Sequence, residues 1–451
     1  MAMRFEIPRV GEPSSVTFPQ VERRMLRNGL RLWAIEHSAV PVVTVSCLLE
    51  GGTAIDPPGK HGLASLTAAL VAEGAGQYDA IALSDVLARI GGHLATEVST
   101  DVATVSLTVL ARHFEAGLSV LADIVRRPTM LSPDFDRVRD LRLSRLKQLA
   151  RTPSTAADRV LLQAVYGNHP YGHGSLGTTR SVQAMTLDDV RECWSAGWQP
   201  TAGALMVAGD ISSERALAAC EGTFGDWKAS APAPAPVPAP EVAPTREVRV
   251  VNWPGAAQSE IRVGHAGPPR RTPDYHALVA LNAILGGQFT SRINRNLREA
   301  RAITYGARTS FDMRRAGGLF SCDSSVQTDA TAVALSEVVR EIREIAVDGA
   351  ISLGELEDAR AALTRGYVRY FETAAQLSRA MADLAAYGLP DDTYDRFVPE
   401  IGRLTPADLT RAAGTALRSD ETSLVVTGDL EKIGDQLLAL DRPLLEVVPE
   451  F

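Results

Sequence analysis

Side chains able to hold a metal or move a proton are scattered along this chain, and few stand at a useful spacing. His169 and His173, in NHPYGHG, are four residues apart, the separation that puts two imidazoles on one helical face. Pro170 and Gly172 lie between them and break such a helix, so the pair reads as part of a loop. His61 sits beside glycine-rich turn residues with no second ligand four positions on, which reads as a capping or surface histidine. Cys47, Cys193, Cys220 and Cys322 are far apart and form no CxxC pair, so neither a zinc knuckle nor a dense disulfide framework is expected, and they read as small core residues.

The elements that must position any site fall into two halves. Residues 229–246, ASAPAPAPVPAPEVAPTR, form a Pro/Ala run without apolar periodicity, an extended and semi-rigid spacer. It separates a domain at 1–228 from one at 247–451, and the same element order recurs on both sides. MTLDDVREC (Met185 to Cys193) matches LTPADLTRA (Leu404 to Ala412), and ALMVAGDIS (Ala204 to Ser212) matches SLVVTGDLE (Ser423 to Glu431). Thr186 to Gly209 and Thr405 to Gly428 both span 23 residues, since 209 − 186 and 428 − 405 are equal. Tyr166-Gly167 and Tyr387-Gly388 recur at an offset of 221, close to the 219 between Thr186 and Thr405. Two such offsets held together indicate an internal duplication.

TVSLTVL (Thr104 to Leu110) alternates as a half-buried strand does, Leu353 to Glu372 carries apolar residues at helical spacing, and Thr186 and Thr405 resemble helix N-caps. With hairpin signals such as Arg27-Asn28-Gly29, the pattern predicts an α+β fold of two homologous domains, each a mixed, mainly antiparallel sheet packed with helices.

Composition narrows the function classes. With 451 residues, 45% of them hydrophobic and 22% charged, the chain is long enough for more than one core. No apolar run approaches the ~18 residues of a membrane span. A net charge of −8, from 46 basic and 54 acidic residues, lacks the basic excess that a phosphate backbone requires, so nucleic acid is not an expected partner. The N-terminal MAMRFEIPRVGEPSS carries no visible signal peptide. Cytoplasm and periplasm both suit such a chain, and the compartment stays open.

GGTAIDPPGKHGLASLTAALVAEGA (Gly51 to Ala75) resembles the pitrilysin/insulinase and mitochondrial processing peptidase family, in which a glycine-rich turn leads into a helix reading GLAHxLEHMxFxG. Two histidines of that inverted HxxEH motif bind zinc, and the glutamate activates water. Aligned on Gly62-Leu63-Ala64, the resemblance puts Ser65 at the first His, Ala68 at the Glu and Ala69 at the second His. Glu73 lies eight residues beyond Ser65, on the wrong turn for the general base. The family's third ligand, a Glu about 75 residues on, maps through FDRVRDLRLSRL (Phe135 to Leu146) onto Arg145. A hydroxyl, two methyls and a guanidinium cannot hold zinc, so no metal and no other cofactor is expected in this chain.

LNAILGGQFTSRINRNLREARAITYGARTSF (Leu281 to Phe311) is very similar to the family's GGGMSSRLxxxLREKRGLAYSV segment. There the family uses an Arg and a Tyr seven residues later, carried here onto Arg298 and Tyr305. A guanidinium and a phenol can donate to a peptide carbonyl and to the oxyanion formed when water attacks it. Helical spacing through Leu297 and a strand at 302–309 would let the two converge across the turn. The alternative is a pairing of Arg298 with a nearby carboxylate and a packed Tyr305 ring. Gly286 and Gly287 read as turn residues before an N-cap at Thr290-Ser291.

The resemblance implies a division of labour. In heterodimeric members one subunit brings zinc and HxxEH, the other brings the Arg/Tyr pair, and the two close as a clam-shell around a chamber. This chain then reads as the zinc-free subunit, inactive alone, with an HxxEH-bearing homologue and a peptide as its partners. The alternative is a purely structural core or assembly subunit.

Overall fold

The computed structural model describes residues 11, 17–232, 234–241, 247–347 and 350–451. Most of the N-terminal stretch read for a leader, and residues 233 and 242–246 of the Pro/Ala run, lie outside the described residues.

The described chain is α+β. Its first sheet is built from β1 (Glu22–Met25), β2 (Arg31–Glu36), β3 (Val42–Leu49), β6 (His93–Val98), β7 (Ala103–Leu110) and β8 (Ala204–Gly209), with β4 (Gly74–Ala75) and β5 (Tyr78–Asp79) as a separate two-residue ladder. The second contains β9 (Val248–Asn252), β10 (Gln258–Gly267), β11 (Thr304–Met313), β12 (Gly318–Gln327), β13 (Ser423–Gly428) and β14 (Leu444–Glu446). Their orders are β6-β7-β3-β8-β2-β1 and β11-β12-β10-β13-β9-β14. Over the first five positions the pairings agree: three antiparallel contacts, then the parallel β2/β8 and β9/β13 pairs. The sixth strand differs. β1 joins β2 through the Arg27-Asn28-Gly29 hairpin, with Gly29 at φ 86°, whereas β14 returns from the C-terminus to lie parallel to β9.

Burial follows from which faces are covered. β8 and β13, in the middle of their sheets, are buried at every residue, and β3 at all but its first. β7 alternates buried and half-buried positions because only one of its faces meets the core. Cys47, Cys220 and Cys322 are buried, Cys193 is half-buried, and all four are free thiols.

On one face each sheet carries helices of its own half; on the other it carries a helix from the opposite half. The helix Ala374–Tyr387 places Leu377, Met381 and Leu384 against Trp33, Ile35, Leu48 and Met206 of the first sheet. The helix Pro153–Tyr166 places Val160, Leu161 and Val165 with Val251 and Val425 of the second. Polar contacts pin the exchange: Ser46 Oγ lies 2.7 Å from Ser378 Oγ, and Arg262 pairs with Asp158 at 2.6 Å. The described part of the Pro/Ala run packs along this junction, with His169 Nε2 3.0 Å from the Pro238 carbonyl.

The repeated N-caps have identical chemistry. Thr186 accepts from Asp189 N and Thr405 from Asp408 N, each acid accepting in return from its threonine N–H, so orphan donors are satisfied at both ends of the box. The stretch read as one helix from Leu353 to Glu372 is instead a helix at Leu353–Thr364 followed by a 3₁₀ turn at Tyr367–Phe371, with Gly366 at the break.

Candidate functional site

In the first half the helix Leu63–Leu70 starts at Gly62, whose φ is 95°. A Cβ there would stand 2.7 Å from the backbone of Leu176 and Gly177, so only glycine lets the turn press on that loop. Asp56 caps the helix: its two oxygens accept from Gly62 N at 2.6 Å and Ala64 N at 2.7 Å. Burial pushes this carboxyl up to about 7, against the backbone donors and the Arg142 guanidinium that favour its charge.

Ser65 and Ala69 share one face of the helix, and Ala68 is buried in the core. Ser65 Oγ bonds the Ser175 carbonyl and accepts from Arg142 Nη1 at 2.7 Å, while Arg142 Nη2 reaches the Ser65 carbonyl at 3.3 Å. The cation facing the Ser65 side of this helix is thus Arg142. Arg145, the residue reached by counting, is exposed and donates to Gln148 at 3.2 Å; it lies one turn further along the helix Ser132–Leu149. Glu73 pairs with Arg137 at 2.7 Å.

The loop histidines end up close to this helix. His61 and His173 stack with ring centroids 4.2 Å apart and planes at 4°. Burial and the neighbouring His61 hold His173 down at about 4, so its ring is neutral. Face-to-face rings do not converge their nitrogens on one point. Among the described residues no group of three or more His, Cys, Asp or Glu side chains stands where it could hold a metal ion. A hydroxyl, two methyls and a guanidinium at the helix do not fit zinc, whose ligands are neutral imidazoles, thiolates and carboxylates.

In the second half the helix Tyr275–Asn282 runs into a π-helical turn at Ala283–Gly287, and a second π turn, Arg295–Ala300, carries Arg298. Such turns widen a helix locally and often mark functional positions. Arg298 Nη2 pairs with Glu299 at 2.6 Å, its Cζ lies 3.3 Å from the ring centroid of Phe289, and its buried Nη1 has no hydrogen-bond partner among the described residues. The chain leaves the turn through Ala302, at φ 55°, and enters β11.

Tyr305 stands on a bulge at the start of this edge strand. Thr304 pairs with Val326 and Ala307 with Ser324, so Tyr305 and Gly306 together oppose one residue of β12. The Thr304 hydroxyl ties the bulge, reaching the Ser325 carbonyl at 2.7 Å and accepting from Gly306 N at 3.1 Å. The tyrosine is 92% exposed. Its ring is not packed, whereas Arg298 does take a neighbouring carboxylate.

Sequence reasoning missed the residue that joins these pieces. Asn294, buried, accepts from Ala307 N at 2.9 Å and donates to the Ala307 and Gln288 carbonyls at 2.9 and 3.0 Å, tying both the strand and the 288–290 loop to the helix. Its amide Nδ2 also donates to Ser291 Oγ at 3.1 Å, so Ser291 makes no side-chain cap to its own helix. Phe289, 74% exposed on that loop, was missed as well. An apolar residue directly after Gly-Gly-Gln was the available signal.

Among the described residues no helix is long and apolar enough to cross a membrane. Residues 32–179 match the family model described as insulinase (peptidase family M16), and residues 184–363 match the one described as the peptidase M16 inactive domain. A Bacillus subtilis protein named "Uncharacterized zinc protease YmxG" is 22% identical over 397 residues, covering 88% of this chain and 95% of the relative. The Helicobacter pylori "Non-peptidase homolog YmxG" is 21% identical, over 72% of this chain and 74% of its own. A crystal structure described as a peptidase M16 inactive domain from Pseudomonas fluorescens superimposes with a TM-score of 0.84 at 24% identity, covering 90% of this chain and 98% of that one. A Helicobacter pylori structure described as a protease gives 0.81 at 19% identity, over 91% and 99%. Two M16 models laid end to end over a duplicated sheet-and-helix fold place the chain: it belongs to the insulinase-type M16 peptidase family.

Proposed function

We propose that this chain is the zinc-free subunit of a heterodimeric M16 metallopeptidase, completed by an HxxEH-bearing homologue that holds the zinc. Each subunit forms half of a clam-shell chamber around an unfolded peptide. Arg298 and Tyr305 donate hydrogen bonds to the scissile carbonyl of a peptide bound on the partner, and to the oxyanion that develops as water adds to it. The observation that carries this reading is the pair of unspent donors. Tyr305 is held 92% exposed on its bulge, and Arg298 keeps one terminal nitrogen, buried here, without a hydrogen-bond partner among the described residues. Packing alone would give the phenol no reason to stand in solvent.

The test is a reconstitution. The chain is mixed with a homologue that carries HxxEH, and cleavage of an unstructured peptide is followed. The reading requires cleavage only in the mixture, zinc in the partner alone, and loss of turnover with Tyr305→Phe and Arg298→Ala. Full turnover with both variants would instead favour a scaffold subunit.

A further inference from the structure

Between the helix Tyr275–Asn282, the end of the helix Leu353–Thr364, β11 and the C-terminal turn of the helix Ala374–Tyr387 lies a cavity of about 510 Å³, open to solvent. That size falls within the usual range for small-molecule sites. Arg270 and Asp383 both line it, and neither side chain has an ion-pair or hydrogen-bonded partner among the described residues.

The two charges share a cavity without pairing. The Arg270 guanidinium lies over the Tyr275 ring, its Cζ 3.6 Å from the centroid, which fixes its plane and leaves its N–H edges free to donate. Asp383 is exposed to solvent, yet the surrounding walls desolvate its carboxyl and push it above the ordinary range, against the pull of Arg270 and Arg379. A carboxylate in that position gains from a cation brought by a ligand. The Asn282 side-chain oxygen accepts from Thr309 at 2.8 Å, and its amide nitrogen, without a hydrogen-bond partner among the described residues, is a further donor on the wall. Gly287 keeps this corner open, since a Cβ there would stand 2.7 Å from Asn282 Nδ2.

One positive and one negative group, separated by more than an ion-pair distance, leave room for a ligand carrying the complementary charges, and they disfavour one with a net charge. Phe311, Met313 and Leu363 supply an apolar part of the wall, with Gln288 as a further polar group. We propose that this cavity binds a zwitterionic α-amino acid or dipeptide with an apolar side chain, its carboxylate on Arg270 and its ammonium on Asp383. The side chain lies against Phe311 and Leu363, and the Asn282 amide supports the carboxylate.

Calorimetric titration of the full chain with L-phenylalanine, with L-phenylalanylglycine and with N-acetyl-L-phenylalaninamide tests this. Saturable binding is expected for at least one of the two zwitterions and not for the capped amide; the tighter of the two identifies a free amino acid or a dipeptide as the ligand. Asp383→Asn and Arg270→Gln should each weaken binding about tenfold or more, the loss typical of one charge-assisted hydrogen bond. No saturable binding of either zwitterion overturns the proposal, as does equal affinity for the capped amide. The ligand comparison on the unaltered chain decides the matter even if a variant does not fold.

Discussion

The helix Leu63–Leu70 of the first half and the Arg298–Tyr305 segment, which leads into the edge strand β11 of the second, treat polar groups differently. Around the first, the helix start and the Ser65 face are bonded internally, although Thr67 Oγ1 and His173 Nε2 find no hydrogen-bond partner among the described residues. Asp56 accepts two backbone N–H groups, and Arg142 serves the hydroxyl and carbonyl of Ser65. Around the second, Asn294 and Thr304 hold the backbone so that Arg298 and Tyr305 are left with capacity to spare. Internal bonding of this kind contributes stability, whereas a phenol held in solvent is equipped for a ligand.

The comparison breaks most readily in a reconstituted pair. Tyr305→Phe or Arg298→Ala should each lower kcat by roughly 10²–10³, the cost of one oxyanion donor, with little change in KM. Steady-state kinetics showing a KM effect alone would reduce the pair to substrate binding.

Next in size is a pH effect confined to the first half. The folded chain holds the Asp56 proton up to about 7, whereas the unfolded chain releases it near 3.8. Between those values the folded state binds more protons, so this group's contribution falls as pH rises and is most favourable below 3.8. Asp56→Asn should remove a component on the order of 2–4 kcal/mol from the difference in unfolding free energy between pH 4 and pH 7.5. Denaturation curves of the two proteins with the same pH dependence would show that Arg142 and the backbone donors neutralise the burial cost.

Gly62→Ala should cost about 2 kcal/mol or more, because the left-handed φ and the backbone of Leu176 both oppose a Cβ. A melting temperature equal to that of the parent chain would contradict the tight seat described for this turn. The smallest expected effect sharpens the contrast: Tyr305→Ala should change stability by no more than about 0.5 kcal/mol, since an exposed side chain without packing has little to lose. A larger loss would mean that the phenol is structural after all.

Much of this was legible along the chain where the causes are local. The Thr186 and Thr405 capping boxes need only residues three apart, and β8 and β13 announce themselves as apolar runs between turns. Ser65, Ala68 and Ala69, the residues that the family resemblance aligns with His, Glu and His, are equally plain, because one helical turn sets their spacing. Counting failed over longer distances. The residue reaching Ser65 is Arg142 rather than Arg145, since the docking of two helices, not their separation in sequence, decides which turn faces which.

Sequence by itself therefore determined the duplicated element order and the caps, both of which follow from periodicity and short-range hydrogen bonding. Only the tertiary structure decided that the helices Pro153–Tyr166 and Ala374–Tyr387 exchange sheets, because an amphipathic face specifies burial without naming the surface that buries it. It also decided that Tyr305 points into solvent. That outcome depends on the pairing register with β12, which places two residues opposite one and turns the ring outward.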